Sequence, residues 1–80
     1  MLSEPMTLYK LMNLYMLKKV NFPLTNAQLT DFFLQHEYAS YFTLQQALGE
    51  LKDSGLIHAE STHSTTRYEI TKEGEETLNF

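Results

Sequence analysis

The residue pattern predicts an α+β domain, mainly helical, with a three-helix core, a two-stranded β-hairpin and a C-terminal helix. Three observations predict it. Apolar residues recur at helical spacing in three successive segments ahead of Gly55. After Gly55 the period drops to two, and Leu56 to Glu60 and Thr66 to Ile70 read as short strands. The polar stretch Ser61 to Thr65 between them is short enough to reverse an antiparallel pair.

The totals narrow the class. Eighty residues make a single domain over 1–80, with a small core and a thin margin of stability. Cysteine is absent, which excludes disulfides and thiolate metal sites and fits a cytoplasmic location. No secretory leader pattern follows Met1. The longest near-apolar run, Leu8 to Val20, is interrupted by Lys10, Asn13, Lys18 and Lys19, so no membrane partner is expected. Six basic against ten acidic residues give a net charge of −4, with Glu69, Glu73, Glu75 and Glu76 gathered near the C-terminus.

The first helix is expected to open at Ser3, with Glu4 and Pro5 in its first turn, and to run to about Lys19. Lys18 and Lys19 suit the negative end of the helix dipole. On a helical wheel Leu8, Leu11, Met12, Tyr15 and Met16 form one broad apolar face, taken as the core side. Met6, Leu14 and Leu17 fall on another side. Either the C-terminal segment or a second copy of the chain covers that side. Met6, Leu14, Leu17, Leu78 and Phe80 are accordingly assigned to a homodimer interface.

Pro23 turns Phe22 out of the helical region, so Val20 to Leu24 is a turn or short extended piece. Thr25 opens the second helix, with Gln28 completing a capping box. Leu29, Phe32, Phe33 and His36 share one stripe, and the helix is expected to end near Gln35 to Glu37. Tyr38 to Phe42 reads as a connection, with Tyr41 and Phe42 folding back as a staple. The third helix is expected to start at Thr43, capped with Gln46, and to stop at Gly55 in a left-handed C′ position. Leu44, Ala47, Leu48 and Leu51 form its apolar stripe. Gln45, Gln46, Gly49, Lys52 and Asp53 lie opposite, a row that suits a helix lying in a DNA groove. Thr71 caps a last helix beginning near Lys72. It runs out soon after its apolar residues Leu78 and Phe80 arrive, as expected for the N-terminal part of a longer protein.

Two motifs, LKDSGLI over 51–57 and YEITKEG over 68–74, resemble the recognition-helix end and the strand-to-helix exit of bacterial winged helix-turn-helix regulators of the PadR-like and MarR-like kinds. The opening segments LYKLMNLYML and FPLTNAQLTDFFL further resemble an uncharacterised winged-helix family of Gram-positive bacteria, of unknown function and with longer members. The resemblance implies a winged helix-turn-helix whose third helix enters the major groove of double-stranded DNA. It implies that Gln45, Gln46 and Gly49 face the bases, with Thr43 and Lys52 near phosphates. The hairpin would bring Thr62, His63, Ser64, Thr65 and Arg67 to the adjacent backbone. Two phosphates neutralised per monomer imply a salt slope of about −2, so the resemblance implies action as a dimer.

Other chemistry lacks its residues. His36, His58 and His63 fall on different expected elements, with no carboxylate pair at ligand spacing, so no metal is expected. No nucleophile elbow and no glycine-rich phosphate loop occurs, so neither catalytic residues nor a cofactor is expected. Two functions remain: a DNA-binding module of a transcriptional regulator, and a protein-interaction module without nucleic-acid binding.

Overall fold

The structure, a computed structural model, describes residues 5–79. The expected cap at Ser3 and Glu4 and the interface residue Phe80 lie outside them. In order, the elements are α1 (Pro5–Val20), β1 (Leu24–Thr25), α2 (Asn26–Gln35), α3 (Tyr41–Asp53), β2 (Ile57–Thr62), β3 (Thr65–Ile70) and α4 (Lys72–Leu78). The strands form one antiparallel sheet in the order β1-β3-β2. The chain is thus α+β and mainly helical, with four helices and a three-stranded sheet.

Local chemistry ends each helix. At α2 the Thr25 hydroxyl accepts from Gln28 N–H (3.0 Å), and Gln28 Oε1 accepts from Thr25 N–H (2.8 Å), which completes the expected box. The helix closes with Tyr38 N–H donating to Phe33 O (2.9 Å) and Glu37 N–H to Leu34 O (3.1 Å). That is a Schellman closure, with Glu37 at φ 58° in the left-handed position. α3 ends the same way. Leu56 N–H donates to Leu51 O and Gly55 N–H to Lys52 O, both at 3.0 Å, with Gly55 at φ 77°.

The start of α3 differs from the expectation. Ser40, not Thr43, is the N-cap: its hydroxyl accepts from Thr43 N–H (3.2 Å). Ser40 is a good cap with an extended backbone, so the helix gains its first turn earlier. Tyr41 and Phe42 become that turn rather than a connecting staple. The hairpin is also longer than expected, turning at His63 and Ser64 with His63 at φ 52°. β1 stands where the sequence predicts no more than a turn or short extended piece. It pairs Leu24 with Tyr68 and Thr25 with Arg67.

The core comprises Leu14, Leu17, Leu24, Leu29, Phe33, Leu44, Leu48, Leu51, Ile57 and Tyr68. This overturns the assignment of α1's two faces. Leu14 and Leu17 are 1% and 2% exposed, inside their own molecule, so they cannot form a dimer interface in this fold. Leu8 and Tyr15, assigned to the core, are 54% and 56% exposed. The reason is that α1's inward side carries polar residues. Asn13 is fully buried there, its Nδ2 donating to Tyr9 O (2.8 Å) while Oδ1 has no partner among the described residues. Lys10 pairs with Glu50 of α3. The inward side is thus Leu14 and Leu17 beside Asn13, while Met12 and Met16 of the other face pack at the margin of the core.

The two ends of the hairpin are fastened where β2 leaves α3 and β3 enters α4. The Thr71 hydroxyl donates to Gly55 O (2.7 Å) and accepts from Gly74 N–H (3.1 Å), and Thr71 N–H donates to Leu56 O (3.1 Å). Gly74 sits against this junction. A Cβ there would overlap the Leu56 carbonyl oxygen and lie 2.7 Å from Ile70 Cγ1. Gly74→Ala is expected to cost about 1–3 kcal/mol, because backbone rather than a flexible side chain must move. Thermal unfolding followed by circular dichroism should show a fall of roughly 4–8 °C per kcal/mol. An unchanged midpoint would mean that the close approach does not exist.

Candidate nucleic-acid interface

The candidate site is built on α3 and the hairpin. At about 100° per residue, Phe42, Gln46, Gly49 and Asp53 fall within about 60° of one another, opposite the buried line Leu44, Ala47, Leu48 and Leu51. All four are exposed. Phe42 is 82% exposed. Gly49 has nothing within 4 Å of where a Cβ would stand, so the middle of the face is open.

The flanks of α3 are occupied. On one side Gln45 joins a half-buried polar cluster that ties α2, α3 and β3 together. Asn26 Nδ2 donates to Gln45 Oε1 (2.8 Å) and to the Tyr68 hydroxyl (3.1 Å). Gln45 Nε2 donates back to Asn26 Oδ1 (3.1 Å) and to the Thr30 hydroxyl (3.4 Å). The expectation that Gln45 faces bases is therefore corrected: its amide is spent holding α2 against α3. On the other side Glu50 accepts from Lys10 and from Gln46 Nε2 (3.0 Å). The Lys10 hydrogen bond, then that of Gln46, holds the Glu50 carboxyl below its ordinary pKa. Gln46's own bond is exposed and local, between residues four apart, and readily traded for another partner. Thr43, expected near phosphates, lies half-buried on this flank, its hydroxyl 2.9 Å from Ser40 Oγ.

The remaining candidates are spread along the hairpin. His63 and Ser64 form the exposed turn, and Thr62 and Thr65 face each other just below it. Arg67 is exposed but sits further down, opposite Glu60 in the ladder. An opposite charge one strand away offsets its field. Lys52 is exposed in the last turn of α3, next to Asp53. Two cations therefore stand beside two anions across the face.

A second surface lies on α1. Leu11, Met12, Tyr15 and Met16, with Phe32, Tyr38 and Leu78, line an open apolar groove of about 430 Å³. Tyr38 stacks on His36, with ring centroids 5.6 Å apart at 20°, at the groove's edge. His36 was expected on the apolar stripe of α2 but is exposed at its C-cap. Met6 is half-buried. Among the described residues, no three His, Asp or Glu side chains gather where they could hold a metal ion. No helix there is long and apolar enough to cross a membrane.

Residues 9–80 match the family described as Domain of unknown function (DUF4364). The chain belongs to this family. No curated protein and no solved structure matches it. In this DUF4364 chain the residues missed from sequence are Asn26, Tyr68 and Phe42. Phe42 was findable, because Ser40 is as good a cap as Thr43 and starting there puts Phe42 opposite Leu44 and Leu48. Asn26 carried little signal, since apart from Thr30 its partners lie 19 and 42 residues away.

The polar cluster gives a direct test. Asn26→Ala and Gln45→Ala should each cost about 1 kcal/mol in denaturant unfolding, as half-satisfied buried amides do. The double variant should fall short of the sum by about 0.5–1 kcal/mol. Strictly additive losses would show that the two side chains are not joined.

Proposed function

We propose that this chain is a winged helix-turn-helix domain that binds double-stranded DNA, as part of a dimeric bacterial transcriptional regulator of the PadR-like or MarR-like kind. The arrangement helix, short strand, helix, helix, hairpin, with β1 paired to β3, supports the winged-helix reading. The observation that carries the functional reading is the free face of α3. Its core line is fully buried while Phe42, Gln46 and Gly49 on the opposite side are exposed, their partners among the described residues limited to Tyr41 and Glu50 of the same helix. Gln46 is the candidate for reading a base, through adenine N6 and N7. Lys52 and Arg67, with Thr62, His63, Ser64 and Thr65, are the candidates for positioning on phosphates.

With so few cations, affinity is weak per monomer and steeply improved by pairing. The groove on α1 supplies a surface for a second copy, built on Leu11, Tyr15 and Leu78, with the exposed Leu8 on the same side of α1, in place of Leu14 and Leu17. Titration of labelled duplex at about 50 mM salt should give saturable anisotropy, with Lys52→Ala and Arg67→Ala each lowering the salt slope by about 1. Absence of saturation at that salt would end the DNA reading.

The second reading, a protein-interaction module, is favoured by the same groove and by the net charge of −4. Tyr15→Glu tests the groove without touching the core, since Tyr15 is 56% exposed. It should abolish self-association in sedimentation velocity while leaving the helical signal intact. Unchanged sedimentation would remove the groove from both readings.

A further inference from the structure

We propose that Phe42 reads the 5-methyl group of a thymine in the major groove, an inference that rests on the DNA reading above. Among the described residues Phe42 is the most exposed of the large hydrophobic side chains, at 82%, although it is borne on a capped helical turn. Its one aromatic neighbour among them is Tyr41, also in the first turn and half exposed, meeting it edge-on at 5.9 Å. Nothing in the chain's own core uses the ring. It stands one turn ahead of Gln46 and two ahead of Gly49 on the same open face. Gly49 has no side chain to hold the middle of the helix off a wall, so Phe42 and Gln46 are the side chains that project from this face.

The chemistry of the groove then selects the target. Base edges in the major groove are polar except for the thymine 5-methyl, which makes apolar contact with side chains such as Phe. Stacking between bases is the alternative for an aromatic ring, but wedges of that kind enter from the minor groove. Gln46, one turn further on, suits adenine. Phe42 and Gln46 together therefore favour a T and an A close together in the site. On a face whose cations are matched by anions, such contacts carry a larger share of discrimination than phosphates do.

The test selects duplexes from a random-sequence pool with the full chain, then re-measures the enriched duplex with deoxyuridine replacing thymidine at each position in turn. Loss of one buried methyl group should weaken binding about fourfold at one or two adjacent positions. Phe42→Ala should keep its thermal midpoint and show no such penalty anywhere. If wild type is indifferent to every replacement, if the enriched duplex lacks thymidine in its core, or if Phe42→Ala retains the penalty, the inference fails while the DNA reading stands. If the pool yields no bound duplex at all, both fail together.

Discussion

The fold depends on the junction where the end of α3, the start of β2 and the start of α4 meet. Gly55 turns the chain with a positive φ, and the Gly55 and Leu56 carbonyls that this turn exposes are both taken up by Thr71. The Leu56 carbonyl is part-buried and would go short of a partner without Thr71, whereas the exposed Gly55 carbonyl could turn to water. Thr71 also caps α4 through Gly74 N–H, so one side chain satisfies a helix start and a helix exit at once. The absence of a Cβ at Gly74 is what lets the two backbones come this close. The two motifs at 51–57 and 68–74 are thus the two halves of one contact.

A second constraint fixes α3 relative to α2. Their crossing is held by Asn26, Gln45, Thr30 and Tyr68 rather than by apolar packing alone. Amide pairs have one good geometry, whereas Leu against Leu has several, so a polar cluster specifies an angle that hydrophobic contact would leave loose. The Lys10–Glu50 pair does the same on α1's side, at an exposed position where its worth is smaller. Between these two flanks the outward face of α3 is left without internal partners apart from Gln46's bond to Glu50.

Features encoded within a few residues were legible in the sequence. The Thr25–Gln28 box, the Gly55 turn, the Thr71 cap and the hairpin's place all rest on neighbours in the chain, and the structure has each of them. Illegible were the choices that depend on distant groups. The apolar wheel of α1 misplaced Leu14 and Leu17, which are buried beside Asn13 and its bond to Tyr9 O, although Met12 and Met16 on the wheel do pack against the core. β1 is two residues long and exists only because β3 passes beside it. In the candidate site, Gln46 and Gly49 were correctly read as outward, since helix period alone places them. Gln45 was not, because its side of α3 is decided by where α2 lands.

α4 shows what the junction means for motion. Seven residues are too few to hold a helix in water unaided. Glu73 and Glu75 in its first turn favour the helix dipole, but by amounts too small to change that. Its backbone amides are therefore shielded while Thr71 and Gly74 remain seated on Gly55 and Leu56 and Leu78 stays packed against the core. Hydrogen exchange along α4 is accordingly expected to report the integrity of these tertiary contacts rather than any stability of its own.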